Sequence, residues 1–399
     1  MQRSAFRVLH FDLGSPVVRI GLVIESFDQR RGGAESWTHR HALNLLARGF
    51  EVHVIAQDFP AEAATLPIVR HRLERISTPL GRAKAAEAKL RTLKLDLIHD
   101  MGIGWHCDIF QPHAGCWTAL AQQKLLFTPW WLGAIKRYVD PWLPRYRQYQ
   151  LLVRRQAAAD QQILLALSQK VADEFQEHHH VPPRRIRVVY NGVDVQKYSP
   201  QRREEFRQAT RKGLGIAGDV VLALAVAHNF QLKGVPTLLR ALEILAPKRL
   251  PLHVVVVGGK RFNLWQRWVN ARRLPVTFVG PQPDTVPFYA AADMLVHPSF
   301  YDSCSLVLLE AAASGLPLLV SKENGAAELL RDGVEGLLLA DPADAESLAA
   351  QMEIMLDASL RERMGAAARR LAVDHTLERN FEEIISIYQQ AAQSRRLAA

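Results

Sequence analysis

Short apolar runs bounded by turn residues alternate with helical patterns along almost the whole chain, and the series runs twice. Such alternation marks parallel α/β architecture, because each buried parallel strand needs a crossover before the next can lie beside it. In the first series Arg19–Ile24 reads as a strand, Gly32–Gly33 leads into a helix over Ala34–Arg48 that stops at Gly49, and Glu51–Ala56 is the next strand. Leu95–His99 and Gln162–Ser168 add to the same sheet, and Pro182–Tyr190 reads as an extended linker closed by the turn Asn191–Asp194. The second series runs through Val220–Ala227, His253–Val257, Val276–Val279, Met294–His297 and Leu316–Ser321, with helices over Val235–Leu245 and Ser305–Ser314. Leu360–Arg396 reads as an amphipathic helical stretch.

A chain of 399 residues exceeds what one core usually covers, so the two series predict two domains. The expected division is residues 1–185, residues 186–375, and a terminal helix over 376–399 that packs back toward the first domain. Two Rossmann-like, doubly wound units would then face each other across a cleft, at the carboxyl ends of the strands where open sheets bind ligands.

Composition bounds the partners. Cys107, Cys116 and Cys304 form no paired framework and no CxxC, which suits a reducing compartment. The start has no uninterrupted apolar leader, and no apolar run approaches the roughly 20 residues that span a bilayer. A cytoplasmic protein, soluble or peripheral on a membrane, is the expectation. The net charge of +10 fits an anionic small molecule, nucleic acid or an acidic membrane face, or plain arginine-rich composition.

One motif misleads. Gly213-Leu-Gly215-Ile-Ala-Gly218 matches GxGxxG, but that fingerprint works only after a strand and at the start of a helix. Here it follows a helical pattern and precedes a strand, so it reads as a helix C-cap and loop. A nicotinamide dehydrogenase loses its best support.

Three other signals point to a phosphate ligand. Gly32–Gly33 follows the first strand, lets backbone approach a ligand closely, and opens a helix whose free N–H groups suit phosphate. In the run from Tyr301 to Glu310, two carboxylates flank a helix start with Ser303 or Ser305 as its cap. The amides around Ser305, Leu306 and Val307 suit a diphosphate, Glu310 suits ribose hydroxyls, and Asp302 suits sugar hydroxyls. Lys233–Gly234 sits beyond a strand end, where the lysine can neutralise charge on a leaving phosphate. No Asp-x-Asp occurs, so the usual carboxylate bracket for a divalent metal is absent and no cofactor is expected.

Together these stretches resemble glycosyltransferase family 4, retaining enzymes of the GT-B fold. The run SLVLLEAAASGLPLLVS after Asp302 is similar to the family's E-x7-E motif and Gly-x-Pro strand entry. RGGAESWTHRHALNLLARGFEVHVI is similar to its opening helix, VVYNGVDVQKYSP to its domain junction, and Asn324–Glu328 with Gly333–Leu337 to its later segments. The resemblance implies an acceptor-binding first domain and a second domain that binds a nucleotide-diphosphate sugar such as a UDP-sugar. It places Gly33 against the diphosphate, His113 beside the transferred sugar, and Val279–Gly280 in the base pocket. It implies retention at the anomeric carbon. Two positions depart: Asp302 stands for the first glutamate of E-x7-E, and His228 stands where many members have a phosphate-binding arginine. The run HNFQLKG is closer to lipopolysaccharide-core glucosyltransferases, which suggests a role in cell-envelope synthesis.

Residues 127–155 interleave Trp130, Trp131, Tyr138 and Trp142 with Lys136, Arg137, Arg145, Arg147, Arg154 and Arg155. That mixture suits an anionic membrane surface or a core-packed helix with a basic outer side. A GT-B sugar-nucleotide 2-epimerase and a basic nucleic-acid binder are the rival readings, the second without a recognition motif. His178–His180 could suggest a metal but reads better as a solvated helix end.

Overall fold

The computed structural model describes residues 17–127, 135–136, 138–158, 162–260 and 262–398. Its first sheet contains β1 (Arg19–Val23), β2 (Glu51–Ala56), β3 (Val69–Arg72), β4 (Leu97–Asp100), β5 (Ile109–Phe110), β6 (Ile163–Ala166) and β7 (Ile186–Val188). The second contains β8 (Val221–Val226), β9 (Leu252–Val257), β10 (Val276–Gly280), β11 (Met294–His297), β12 (Leu318–Ser321) and β13 (Gly336–Leu339). Their spatial orders are β3-β2-β1-β4-β5-β6-β7 and β10-β9-β8-β11-β12-β13, and every pairing is parallel. The central strands are nearly all apolar because helices cover both faces of each sheet; β11 is buried from end to end.

In each sheet the chain winds outward from a first strand, then crosses over that strand to build the other half. The reversal falls between β1 and β4 and between β8 and β11. The loops leaving these strands therefore face the crevice where such sheets bind ligands. They carry Gly32–Gly33 after β1, Lys233 after β8, and Asp302 after β11.

Two expected boundaries move. Because β7 pairs with β6, the linker read at Pro182–Tyr190 is partly a strand of the first sheet. The chain crosses to the second domain at Asn191–Val193 rather than at residue 185. The final helical stretch is also two helices, Ala358–Asp374 and Leu377–Ala398, broken where the chain crosses back. There the Val193 amide donates to the His375 carbonyl and the Leu377 amide to the Val193 carbonyl, so the two crossings are tied to each other. Gly192 is required at this knot, since a Cβ would collide with the Thr376 backbone.

After the break, Leu377, Phe381, Ile384, Ile385 and Tyr388 enter the core of the first domain beside Ile20, Leu22, Trp37 and Leu45. Ile384 is fully buried. Ile384→Ala should cost about 2–5 kcal/mol through lost transfer energy and the cavity left behind. Denaturant unfolding that follows the first domain's tryptophan signal checks this.

Candidate active site

In the second domain, the β8 and β11 loops are fastened to each other. The Phe300 amide donates to the Leu232 carbonyl at 2.8 Å, and Gly234, at φ +69°, packs so closely on Pro298 that a Cβ would overlap its carbonyl. This brings Lys233 to Asp302, with Nζ donating to Oδ2 at 2.5 Å. His297 Nε2 lies 3.7 Å from the same oxygen. Burial alone would raise the Asp302 pKa, but the Lys233 ammonium and the His297 contact outweigh it and hold the carboxyl well below its ordinary range.

Asp302 is followed by the helix Leu306–Ala313, with Ser305 at its N-cap position. Neither serine caps this helix with its side chain as the sequence suggested. Ser303 Oγ instead donates to the His113 carbonyl in the other domain, at 2.6 Å. The first amides of the helix thus have no intrahelical partner and no side-chain cap. Opposite them stands the glycine pair: a Cβ on Gly33 would come within 3.1 Å of Leu306 Cδ1. Gly32 and Gly33 are exposed and begin a second helix, Gly33–Ala47. Two helix N-termini therefore converge from the two domains, each with its positive dipole end toward the crevice.

Glu310 lies one turn further along, where its Oε2 accepts from the Tyr289 hydroxyl at 2.7 Å. Burial raises its pKa against the pull of Tyr289, Tyr198, Lys197 and Arg40. Val279 and Gly280 end β10 at a register shift, with Gly280 at φ +70° under the Phe262 ring. His228 is largely exposed, yet partial enclosure of its ring and then the Lys233 charge both lower its pKa. Its titration is thus shifted below the ordinary imidazole value at the position where the resemblance expects a phosphate-binding arginine.

From the first domain, His113 enters on the loop after β5. Burial lowers its pKa to about 3, so the ring is neutral. Its Nε2 is shielded from solvent and has no hydrogen-bond partner. Trp37 packs against the ring at 5.0 Å between centroids. Behind it, His41 Nε2 and His99 Nδ1 each lie 2.7 Å from the Tyr388 hydroxyl of the returning helix.

The domain contacts were largely invisible in the sequence. The Tyr301 hydroxyl accepts from the Cys116 amide at 2.9 Å and donates to Glu174 Oε2 at 2.6 Å. Gly115, at φ +78°, leaves it room, because a Cβ there would strike that hydroxyl. Glu328 accepts from the Gln169 and Lys170 amides at 2.8 and 2.6 Å and from the Tyr190 hydroxyl at 2.8 Å. A carboxylate of the second domain thus caps a helix of the first, Gln169–His179. At the far end of that helix His179 pairs with Thr118 at 3.0 Å. Among the described residues no group of three or more histidine, cysteine, aspartate or glutamate side chains could hold a metal ion.

Comparison with known proteins gives a consistent result. Residues 31–197 match the model for Glycosyltransferase Family 4, and residues 206–371 match that for Glycosyl transferases group 1. The lipopolysaccharide glucosyltransferase WaaG of Escherichia coli is 31% identical over 339 residues, 79% of this chain and 84% of WaaG. A D-inositol 3-phosphate glycosyltransferase of Actinosynnema mirum is 29% identical over 90% of this chain and 92% of its own. The crystal structure of WaaG superposes with a TM-score of 0.79 at 23% identity, covering 92% of this chain and 99% of that one. Anabaena HepE in complex with UDP-glucose gives 0.68 at 21% identity, covering 93% and 99%.

Asp302 provides a pH test. Its folded pKa is depressed, so its contribution to stability is complete above its unfolded value near 3.9 and is lost as pH falls through the folded value. Asp302→Asn leaves the Lys233 charge buried without its partner, a loss of about 3–5 kcal/mol. The stability gap between wild type and variant, read from denaturant midpoints, should hold from pH 7 to about 4 and narrow below that.

Proposed function

The chain belongs to the group 1 and family 4 glycosyltransferases and has their GT-B fold, and we propose that it is a retaining, metal-independent hexosyltransferase. In this reading it moves a hexose from a nucleotide-diphosphate sugar to a saccharide or glycolipid acceptor in cell-envelope synthesis, at the cytoplasmic face of the membrane. One observation carries the reading. Gly33 and the tip of the 306–313 helix converge beside Lys233 and Asp302, while Ser303 holds the His113 loop at the same place. The HepE complexes, named for UDP and UDP-glucose, support a nucleotide-sugar donor.

The donor diphosphate would lie between the two helix N-termini, within reach of the Leu306 and Val307 amides and Lys233. Glu310 would accept from the ribose hydroxyls, and Val279–Gly280 would line the base. The transferred sugar would rest between Asp302 and His113. A sugar hydroxyl there would satisfy the orphaned Nε2, which is costly to leave unpaired. His113, held neutral, would position the sugar rather than exchange a proton with it.

In the reaction the anomeric C–O bond breaks and its electron pair passes to the phosphate oxygen. The acceptor oxygen forms the new bond on the same face, and its proton goes to the departing phosphate. Lys233 and the helix amides stabilise the charge that develops, work that a metal ion performs in other enzymes. Lys233→Ala should lower kcat by roughly 10²–10³ with the donor saturating, as for loss of one preorganised donor. Assays across UDP-, GDP- and ADP-sugars with a chelator present would test donor and metal together. Near wild-type turnover of the variant, or activity only with magnesium, would sink the proposal.

The membrane part rests on residues 135–155; Trp130, Trp131 and Arg137 lie outside the described residues. Tyr138 and Trp142 are each 78% exposed, beside Ile135, Val139 and Leu143. Lys136, Arg145, Arg147, Arg154 and Arg155 are exposed around them. The opposite face, with Leu152 and Val153, is buried in the domain. The segment is thus anchored on one side and both apolar and basic on the other. Among the described residues no helix is long and apolar enough to cross a membrane. Flotation with anionic vesicles should show binding that falls as salt rises, each basic side chain contributing about 1 kcal/mol. Equal binding to neutral vesicles would remove the electrostatic component.

A further inference from the structure

A half-open cavity of about 650 Å³ in the first domain is lined both by residues of the crevice loops and by residues between 136 and 146. His113 and Gly115 line it from the crevice side of the fold, and Lys136, Leu143 and Arg145 from the 135–155 segment. Its apolar walls are aromatic and aliphatic, formed by Phe110, Trp117, Leu120, Tyr149 and Leu152. Trp117 stacks on Tyr149 at 4.9 Å and meets Tyr146 edge-on at 4.7 Å, so this wall is rigid. The lining also carries Glu25, Glu35 and Arg82, with Arg82 paired to Glu25 at 3.0 Å, together with Gln156, Lys124, Lys136, Asp140 and Arg145.

A concave site of this size, largely apolar with a few polar groups, is of the kind that takes a small-molecule ligand. The 135–155 segment identifies one. Leu143, which lines the cavity, is 45% exposed, and Tyr138 and Trp142 close to it in the chain are exposed as well. An apolar cavity that shares Leu143 with an apolar, cation-rimmed surface fits a hydrocarbon chain that arrives from an anionic membrane.

We propose that this cavity receives the hydrocarbon chain of a membrane glycolipid acceptor, with the sugar to be extended held at His113 and the chain leaving past Leu143. The proposal rests on the glycosyltransferase reading and deepens it by choosing the lipid-borne acceptor over a free saccharide. The Glu25 and Glu35 carboxylates suit sugar hydroxyls, and Lys136 and Arg145 suit the headgroups of the surrounding lipid.

The test is calorimetric titration of the full chain with hexyl, octyl and decyl β-glucosides below their micelle concentrations. Affinity should rise about fourfold per methylene, the factor for burying a CH₂ group. Ala121→Trp and, separately, Leu120→Trp fill the cavity from the 117–126 helix and should weaken decyl glucoside at least tenfold. UDP affinity, measured in the same samples, should be unchanged in both variants, which also reports that they fold. Affinity independent of chain length would overturn the proposal, as would variants that bind decyl glucoside like wild type, the mark of adsorption on the exposed patch. Failure of the wild type to bind UDP would instead strike the donor reading and leave the cavity result to stand by itself.

Discussion

The structure depends on two hydrogen bonds that leave the second domain on either side of Asp302. Tyr301 reaches the Cys116 amide and Ser303 reaches the His113 carbonyl, so the 113–116 loop is held at both ends by the neighbours of one carboxylate. A cleft between two domains has no intrinsic reason to present its halves in register. Here the register is set within the site itself, and by short polar contacts that good geometry alone satisfies. The Glu328 cap and the tie between Val193 and residues 375–377 constrain the same domain pair from two further directions. Contacts of this type are polar, the character expected of an interface between domains of one chain.

Charge in the site follows from the same closeness. Lys233 is the basic side chain in direct contact with Asp302, and both are mostly enclosed, at 11% and 14% exposure. Their pairing fixes the ammonium beside the helix tip before any anion arrives, so little reorganisation is left for the moment of reaction. His228, His297 and His113 around this pair all have lowered pKa values, burial being the largest cause in each. An anion entering the crevice therefore meets the Lys233 ammonium and two sets of backbone amides.

Much of this frame was legible in the sequence because it rests on local pattern. The buried strands announce themselves as apolar runs, and the GxGxxG decoy is disqualified by its position, ending the Pro200–Gly213 helix with Gly215 at φ +68°. What escaped detection has identifiable causes. β3 reads VRHR, an edge strand whose charged residues hide the strand pattern while discouraging further pairing. β5 has only two residues, too few for any periodicity. β7 lies behind two prolines that signal a linker. The domain contacts join residues 185 and 190 positions apart. No window of sequence contains both partners, so Tyr301 passed as the residue before a motif and Glu328 as a motif without a task. Lys233 and Asp302 were each singled out, but for separate parts of the donor, and their direct pairing is a tertiary fact.

The basic surplus of the chain has a similar explanation in three dimensions. Arg211 is buried and donates to the carbonyls of Ala217, Val220 and Ala291, while sharing Asp293 with Arg207. Arg185 donates to the Gln162 and Ala157 carbonyls and closes the edge of the first sheet. Arg369 bridges the carbonyls of Val195, Tyr198 and Ala313. Ala313 ends the 306–313 helix, so the Arg369 cation sits at the negative end of the dipole whose positive end faces the crevice. A guanidinium can satisfy several carbonyls at once because its donors are arranged in a fixed fork. These arginines are committed to the frame, and they contribute to net charge without offering a surface to a polyanion. The exposed cations of residues 136–155 differ in kind, since they stand among apolar side chains that the frame leaves uncovered. Position, rather than the total of +10, separates the charge that builds this protein from the charge available to a partner.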